Sequence, residues 1–95
     1  MVAGDEKRML KEGQIVWFEG GIEHNYKNFT AKCIDTERRR YEDLVLGGNF
    51  WAGSMKEYFS ELSLIEQQIR NIDLKLKSLR MKRHRLSKRR NKLDN

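Results

Sequence analysis

A heptad pattern in the second half of the chain constrains the fold more than any other feature. From residue 55 to residue 79, apolar residues recur at alternating intervals of three and four. This spacing places side chains on one face of an α-helix and is typical of a coiled coil. We expect the eight positions to mediate dimerisation. They are Met55, Tyr58, Leu62, Ile65, Ile69, Ile72, Leu76 and Leu79.

The local sequence also predicts where this helix begins. Ser54 and Glu57 match the capping box, in which a Ser hydroxyl and a Glu carboxylate satisfy each other's backbone amides. All seven glycines precede residue 54 and the chain contains no proline, so no helix breaker follows. We therefore predict one long helix over residues 54–93.

Self-association is the expected way to bury the apolar positions, because the helix would be about 60 Å long and the preceding residues are too few to cover it. Parallel pairing would oppose Glu61 to Glu66, which is a like-charge contact. Antiparallel pairing instead brings Glu61 near Lys75 or Lys82. We therefore favour an antiparallel homodimer, with a partner protein of complementary charge as the alternative.

Positive charge is concentrated at the C-terminal end. The net charge is +6, and residues 80–95 carry eight Lys and Arg against one acidic residue. Such a cluster binds polyanions through counterion release, and the planar arginine fork suits phosphate. The predicted nucleic-acid contacts are Arg80, Lys82, Arg83, Arg85, Lys88, Arg89, Arg90 and Lys92.

The basic end is also compatible with roles other than nucleic-acid binding. An acidic protein partner or simple solvation of the helix end are the main alternatives, and one or two cations would suffice to oppose the helix dipole. No broad apolar face accompanies the cations, and no apolar run approaches the roughly 20 residues of a membrane span. We expect no membrane association and a cytoplasmic location, and the N-terminus does not resemble a signal peptide.

The distribution of glycine and charge predicts four segments. Residues 1–12 form an N-terminal arm, and residues 13–53 form a small head that contains most of the aromatic residues. Residues 54–79 form the association helix, and residues 80–95 form the basic end. The expected fold class is α+β, with a mixed β/α head followed by one long helix.

Within the head, the aromatic and β-branched run 14–19 is bounded by glycines and predicts a strand. Alternation over residues 29–33 predicts a second strand. Residues 36–46 contain good helix formers and a candidate N-cap at Asp35 or Thr36, so a helix is predicted there.

Two rival interpretations of the head remain open. Apolar residues spaced four, three and four apart allow a single helix over residues 22–46, although Asn and Thr residues disfavour it. Alternatively, residues 41–46 form a third strand in a small sheet of the SH3-like kind.

Residues with catalytic chemistry are sparse. His24, Cys33 and Asp35 match a nucleophilic triad in composition but fit no motif spacing, and a lone Cys on an apolar strand face is typically a core residue. The run Arg38–Arg40 is flanked by acidic residues and is expected to be solvated. We expect no enzymatic activity, cofactor, metal or small-molecule substrate.

Two functional hypotheses follow. The first is a small accessory or regulatory nucleic-acid-binding protein that dimerises through residues 54–79 and contacts phosphates with residues 80–92. The second is a protein-binding inhibitor or adaptor that uses the coiled coil and the head aromatics, which include Trp17, Phe18, Phe50 and Trp51. The small size and the Lys, Asn and Ile usage suit a bacterial or bacteriophage accessory protein.

Overall fold

The computed structural model describes residues 9–94, which form a four-stranded antiparallel sheet followed by one long helix. The α+β class is thereby confirmed. The strands lie side by side in chain order. They are β1 (Ile15–Phe18), β2 (Phe29–Asp35), β3 (Arg40–Asp43) and β4 (Asn49–Trp51). A single 3-10 turn, Ile22–His24, lies between β1 and β2, and the helix α1 comprises Glu61–Asp94.

The chain divides into two compact units near Ile65. The first unit, which we call the head, contains the sheet and the first turn of α1. The second unit is the remainder of α1, from Glu66 onward. The predicted N-terminal arm, residues 1–12, lies mostly outside the described residues.

Alternation of side chains along the strands builds the core of the head. In β1, Val16 and Phe18 are fully buried, and they pair with Ala31 and Phe29 of β2. Successive strand residues point to opposite faces of a sheet, so this register places these four side chains on the core face and leaves Ile15 and Trp17 on the other. The two strands predicted over residues 14–19 and 29–33 are confirmed as β1 and β2.

Aromatic packing shows that the sheet is strongly curled. The rings of Phe18 in β1 and Phe50 in β4 have centroids 5.5 Å apart. These strands are three ladder spacings apart in the sheet, which would separate them by about 14 Å if it were flat. Phe18 also meets Tyr41 edge-on at 4.9 Å, an arrangement favoured by the ring quadrupoles. The curled sheet therefore forms most of the wall around the core, and Leu10, Ala52 and Phe59 from outside the strands complete it.

The helix predicted over residues 36–46 is wrong, and so is the rival helix over residues 22–46. The predicted N-cap, Asp35, does accept two backbone hydrogen bonds, from the amides of Glu37 and Arg38 at 3.0 and 3.1 Å. These bonds close a turn rather than start a helix, and Arg39 leaves the turn with a φ of 55°. The chain then pairs back on β2 as β3.

The third strand of the SH3-like alternative is present in part, because β3 covers Arg40–Asp43 and not residues 44–46. Its pattern of charged residues gives little strand signal, yet Tyr41 is fully buried and pairs with Cys33. Tertiary burial thus overrides local propensity. The short strand β4 had no counterpart among the predictions.

The segment between β4 and α1 returns to the first strand. Trp17 and Tyr58 exchange two backbone hydrogen bonds, of 2.6 and 2.9 Å, on the edge of β1 that β2 leaves free. In the same segment Ala52 is buried in the core and the partly buried Phe59 packs against it. The far edge of the sheet is therefore covered by the chain's own backbone.

The Glu57 carboxylate fastens this segment. Both of its oxygens accept hydrogen bonds from the Arg39 guanidinium, at 2.9 and 3.0 Å. The carboxylate also accepts a hydrogen bond from the Tyr41 hydroxyl. The same guanidinium donates to the carbonyl oxygens of Gly53 and Met55. One Arg and one Glu therefore hold the segment 52–58 against β3.

These contacts explain why the helix does not begin at Ser54 as predicted. The Glu57 carboxylate is engaged by Arg39 and Tyr41, so it does not reach back to form a capping box. The helix begins at Glu61, after the Ser60 hydroxyl accepts a hydrogen bond from the Ser63 amide at 3.1 Å, as an N-cap does.

The later start removes Met55 and Tyr58 from the helical heptad pattern. Met55 lies in the segment before the helix, and Tyr58 pairs with Trp17. Their predicted placement as the first two coiled-coil positions is wrong. Leu64, which belongs to no heptad contact position, is instead the one fully buried residue in the described part of α1.

Replacing Glu57 with Gln tests this fastening. The substitution keeps the shape of the side chain but removes the charge that both Arg39 and Tyr41 contact. We expect the free energy of unfolding to fall by about 1–3 kcal/mol, measured by urea titration with tryptophan fluorescence. Glu37→Gln, which changes an exposed carboxylate, should alter it by less than about 0.5 kcal/mol. Equal effects of the two substitutions would contradict this role.

The same carboxylate predicts a loss of stability in acid. Burial raises the pKa of Glu57, but the hydrogen bonds from Tyr41 and Arg39 outweigh burial and hold it below its ordinary value of 4.5. The unfolded chain therefore binds the proton more readily. The stabilisation is complete above pH 4.5 and is lost as the pH falls through the lower folded-state pKa. Stability of the native chain should drop more steeply there than that of Glu57→Gln.

Candidate functional site

All eight predicted phosphate contacts lie on α1, and each of their side chains is exposed. Because the helix is continuous from Arg80 to Lys92, its rise of 1.5 Å per residue spreads the cations over about 18 Å. Among residues 9–94, no carboxylate forms an ion pair with any of the eight. Their charges are therefore available to an external anion.

Helical geometry aligns five of these cations. Four are spaced three, four and three residues apart, which places them along one face, and the fifth lies beside them. At about 100° per residue, all five fall within an arc of about 120°. We call this set the basic stripe. It consists of Lys82, Arg85, Lys88, Arg89 and Lys92.

The other three cations point elsewhere. Arg83 and Arg90 continue the heptad line of the apolar residues, and Arg80 lies on the flank away from the basic stripe. The structure therefore aligns five of the eight predicted contacts and separates the rest. The sequence predicted all eight as one group, because the density of charge along the chain does not show which face of the helix each side chain occupies.

Six apolar heptad positions remain on α1, and we call them the apolar seam. Their exposed fractions range from 37% to 65% in the single chain, which is high for side chains of this kind. The two arginines that follow at heptad positions interrupt the apolar line. The seam consists of Leu62, Ile65, Ile69, Ile72, Leu76 and Leu79.

The centre of the basic stripe lies about 120° around the helix from the line that continues the seam. Lys82 and Arg89 occupy positions next to that line, and Arg85, Lys88 and Lys92 face farther away. A partner helix on the seam would therefore leave most of the stripe exposed.

The head aromatics predicted to capture a partner differ in how far they are buried. Phe18 is fully buried and serves the core, and Phe50 and Trp17 are half-buried. Trp51 is 66% exposed, so it is the member of this group that presents most of its ring to solvent. The run Arg38–Arg40 is also split, because Arg39 is bound to Glu57 while its two neighbours are exposed.

A His–Asp pair in the head was missed by the sequence analysis. The Nε2 atom of His24 lies 2.6 Å from an Asp43 oxygen, and the imidazole stacks on Phe29 with 3.7 Å between ring centroids. The other Asp43 oxygen accepts the amides of Val45 and Leu46, both at 2.9 Å. Nothing local in the sequence links His24 to Asp43, since they are 19 residues apart.

Asp43 is ionised more readily than an ordinary aspartate. Burial raises its pKa, but hydrogen bonds from the Leu46 and Val45 amides and from His24 outweigh burial and lower the pKa below its ordinary value. The carboxylate thus fixes both the imidazole of His24 and the turn that follows β3. His24 and Asp43 thus form a hydrogen-bonded pair whose side chains are held in place by the folded loop around them.

The nucleophilic triad considered from composition does not form around this pair. His24 pairs with Asp43, whereas Asp35 caps the turn after β2. Cys33 is buried in the core, and burial raises the pKa of its thiol. Across residues 9–94, no three His, Cys, Asp or Glu side chains are grouped as metal ligands.

Comparisons with protein-family models, curated proteins and solved structures gave no match to this chain. In the part of the chain that the structure describes, no helix has the length and apolar content to cross a membrane.

Replacing Asp43 with Ala tests how the loop is held. The amides of Val45 and Leu46 would lose their acceptor, so we expect their hydrogen exchange to accelerate by about tenfold or more. Asp43→Asn retains a carbonyl acceptor and should have a smaller effect. Unchanged exchange at both amides in Asp43→Ala would contradict the assigned contacts.

Proposed function

We propose that the protein is a small accessory or regulatory nucleic-acid-binding protein. It dimerises through the apolar seam and contacts phosphates with the basic end of α1. The observation that supports this proposal is the basic stripe, five exposed cations that share one helix face and have no carboxylate partner among residues 9–94.

The dimensions of the basic stripe suit a nucleic-acid backbone. Lys82 and Lys92 are ten residues apart, or about 15 Å along the helix. Duplex DNA carries one negative charge per roughly 1.7 Å of axis, so about nine phosphates fall within this length. Phosphate contacts of this type release counterions and position the protein without reading sequence.

The chemistry of the stripe favours a duplex over an unstructured strand. The segment 80–92 contains no aromatic residue on which an unpaired base could stack. Arginines 85 and 89 each present a planar fork that suits phosphate oxygens and guanine edges. We propose backbone binding as the main source of affinity.

The apolar seam is proposed to pair with a second copy in antiparallel orientation, which opposes Glu61 to lysines instead of to Glu66. Pairing is proposed to end near Leu79, because Arg83 and Arg90 follow in the same line. A cytoplasmic location is also proposed, supported by the free, buried thiol of Cys33.

Nucleic-acid binding is tested by removing two charges from the basic stripe. We expect Arg85→Gln with Arg89→Gln to weaken binding to random duplex DNA. The slope of log affinity against log salt should shrink by about 1.8, since each lost phosphate contact contributes about 0.9. Binding is measured by fluorescence anisotropy across a salt series.

The matched control removes the same charge from the head. Arg38→Gln with Arg40→Gln changes two exposed arginines and leaves the net charge equal to that of the stripe variant. The control should leave the slope near that of the native chain. If the native chain fails to bind, or if the two variants lose affinity equally, the proposed site is wrong.

Dimerisation is tested by placing a charge in the seam. Ile69→Lys should shift the protein from dimer to monomer in sedimentation experiments, because a buried, unpaired ammonium strongly opposes association. Ser78→Lys adds the same charge to an exposed position outside the seam and should leave the dimer intact. A native chain that is monomeric at micromolar concentration would contradict the proposal.

A second candidate function is an inhibitor or adaptor that captures a partner protein. The exposed seam supports it, because those side chains suit a foreign helix as well as a second copy. A native chain that neither dimerises nor binds duplex DNA would favour this alternative.

A further inference from the structure

One end of the head contains an open cavity of about 550 Å³ that the proposed nucleic-acid interface does not use. Its walls come mainly from residues 19–24 and 46–51, and Phe29, Asp43 and Met55 complete them. The first of these segments turns sharply, and a Cβ atom on the buried Gly20 would lie 1.9 Å from the Lys27 carbonyl oxygen. The cavity wall is thus built on a backbone approach that only glycine permits.

Aromatic rings form much of the cavity surface. Phe29 and Phe50 contribute from the core, with ring centroids 5.9 Å apart. Trp51 lies at the edge and is 66% exposed. Ile22 and Leu46, which are 75% and 57% exposed, extend the apolar surface at the rim. Large apolar side chains left open beside a cavity are characteristic of a binding site.

The charges around the cavity are all of one sign. Three carboxylates line it, from Glu19, Glu23 and Asp43, and among the residues that the structure describes no Lys or Arg does. The Asp43 carboxylate is occupied by His24. Within residues 9–94, neither Glu19 nor Glu23 forms an ion pair. The cavity therefore combines an aromatic surface with two carboxylates that have no cationic partner in the described part of the chain.

We propose that this cavity binds an arginine or lysine side chain presented by a partner polypeptide. The cation would be attracted by the face of an aromatic ring and by the two carboxylates. Its aliphatic stem would pack on the apolar rim. Phosphate and nucleic acid are repelled by the same carboxylates, so the site is distinct from the basic stripe.

The fixed His–Asp pair gives the cavity a defined shape. The His24 imidazole is held by Asp43 on one side and by the ring of Phe29 on the other. The Asp43 carboxylate also accepts a hydrogen bond from the Leu46 amide, and it thereby holds the turn that contains Leu46. Both walls are thus tied to one carboxylate, and a rigid site loses little conformational entropy on binding.

Isosteric peptides test the proposal in the full chain. The probes are acetyl-Ala-Leu-Arg-Leu-Ala-amide, the same peptide with Lys, and the same peptide with citrulline, a neutral isostere of arginine. Binding is followed by amide chemical shifts in two-dimensional NMR. We expect a cationic peptide to shift amides of residues 19–24 and 46–51 and to bind about tenfold more tightly than the citrulline peptide.

Two variants locate the binding site, and a third serves as their control. Trp51→Ala, and separately Glu19→Gln with Glu23→Gln, should each weaken the cationic peptide. Glu12→Gln with Glu37→Gln removes two exposed carboxylates outside the cavity and should not. The amide spectrum of each variant verifies that the head is folded.

Three results would overturn the proposal. Equal binding of the arginine and citrulline peptides would indicate a purely apolar site. Shifts confined to residues outside the cavity, or no shifts with either cationic peptide, would exclude cation binding there. Preference for arginine over lysine, or the reverse, supports the proposal and identifies the side chain. None of these results depends on whether the basic stripe binds DNA.

Discussion

The contact of the Glu57 carboxylate with Arg39 and Tyr41 determines how the head is closed and where the helix begins. It holds the segment after β4 against β3, so that Tyr58 can pair with Trp17 and cover the free edge of β1. The same contact keeps the Glu57 carboxylate from capping a helix at Ser54. The helix consequently starts at Glu61, and the core of the head is closed before it begins.

The sequence predicted elements whose signals are local and periodic. Strand β1 is an aromatic run between glycines, and most of α1 follows from its heptad spacing. Prediction from the sequence failed where contacts between distant residues determine the local structure. Strand β3 consists of Arg, Tyr, Glu and Asp, and only burial of Tyr41 in the curled sheet favours it. The Ser54 capping box failed for the same reason, because its Glu57 is held by residues 16 and 18 positions away.

The candidate sites were predictable to different degrees. Charge counting found the basic end of the helix, because the signal lies within one segment. Dividing that end into the basic stripe and the cations outside it required a continuous helix with a known seam. The cavity of the head could not have been predicted, since His24 and Asp43 are 19 residues apart and meet only in the folded head. Separate surfaces of opposite charge, one basic on α1 and one acidic on the head, suit partners of opposite charge.

The proposed nucleic-acid interface on α1 is tested most sharply by mapping a bound duplex onto the native chain. Amide and arginine side-chain shifts are recorded for the full-length protein with a short random DNA duplex at low salt. We expect the chemical-shift perturbations to concentrate on residues 80–93 and to be strongest at Arg85 and Arg89. They should disappear as the salt concentration is raised. Perturbations centred on the head, or shifts that persist unchanged at high salt, would contradict the proposed interface.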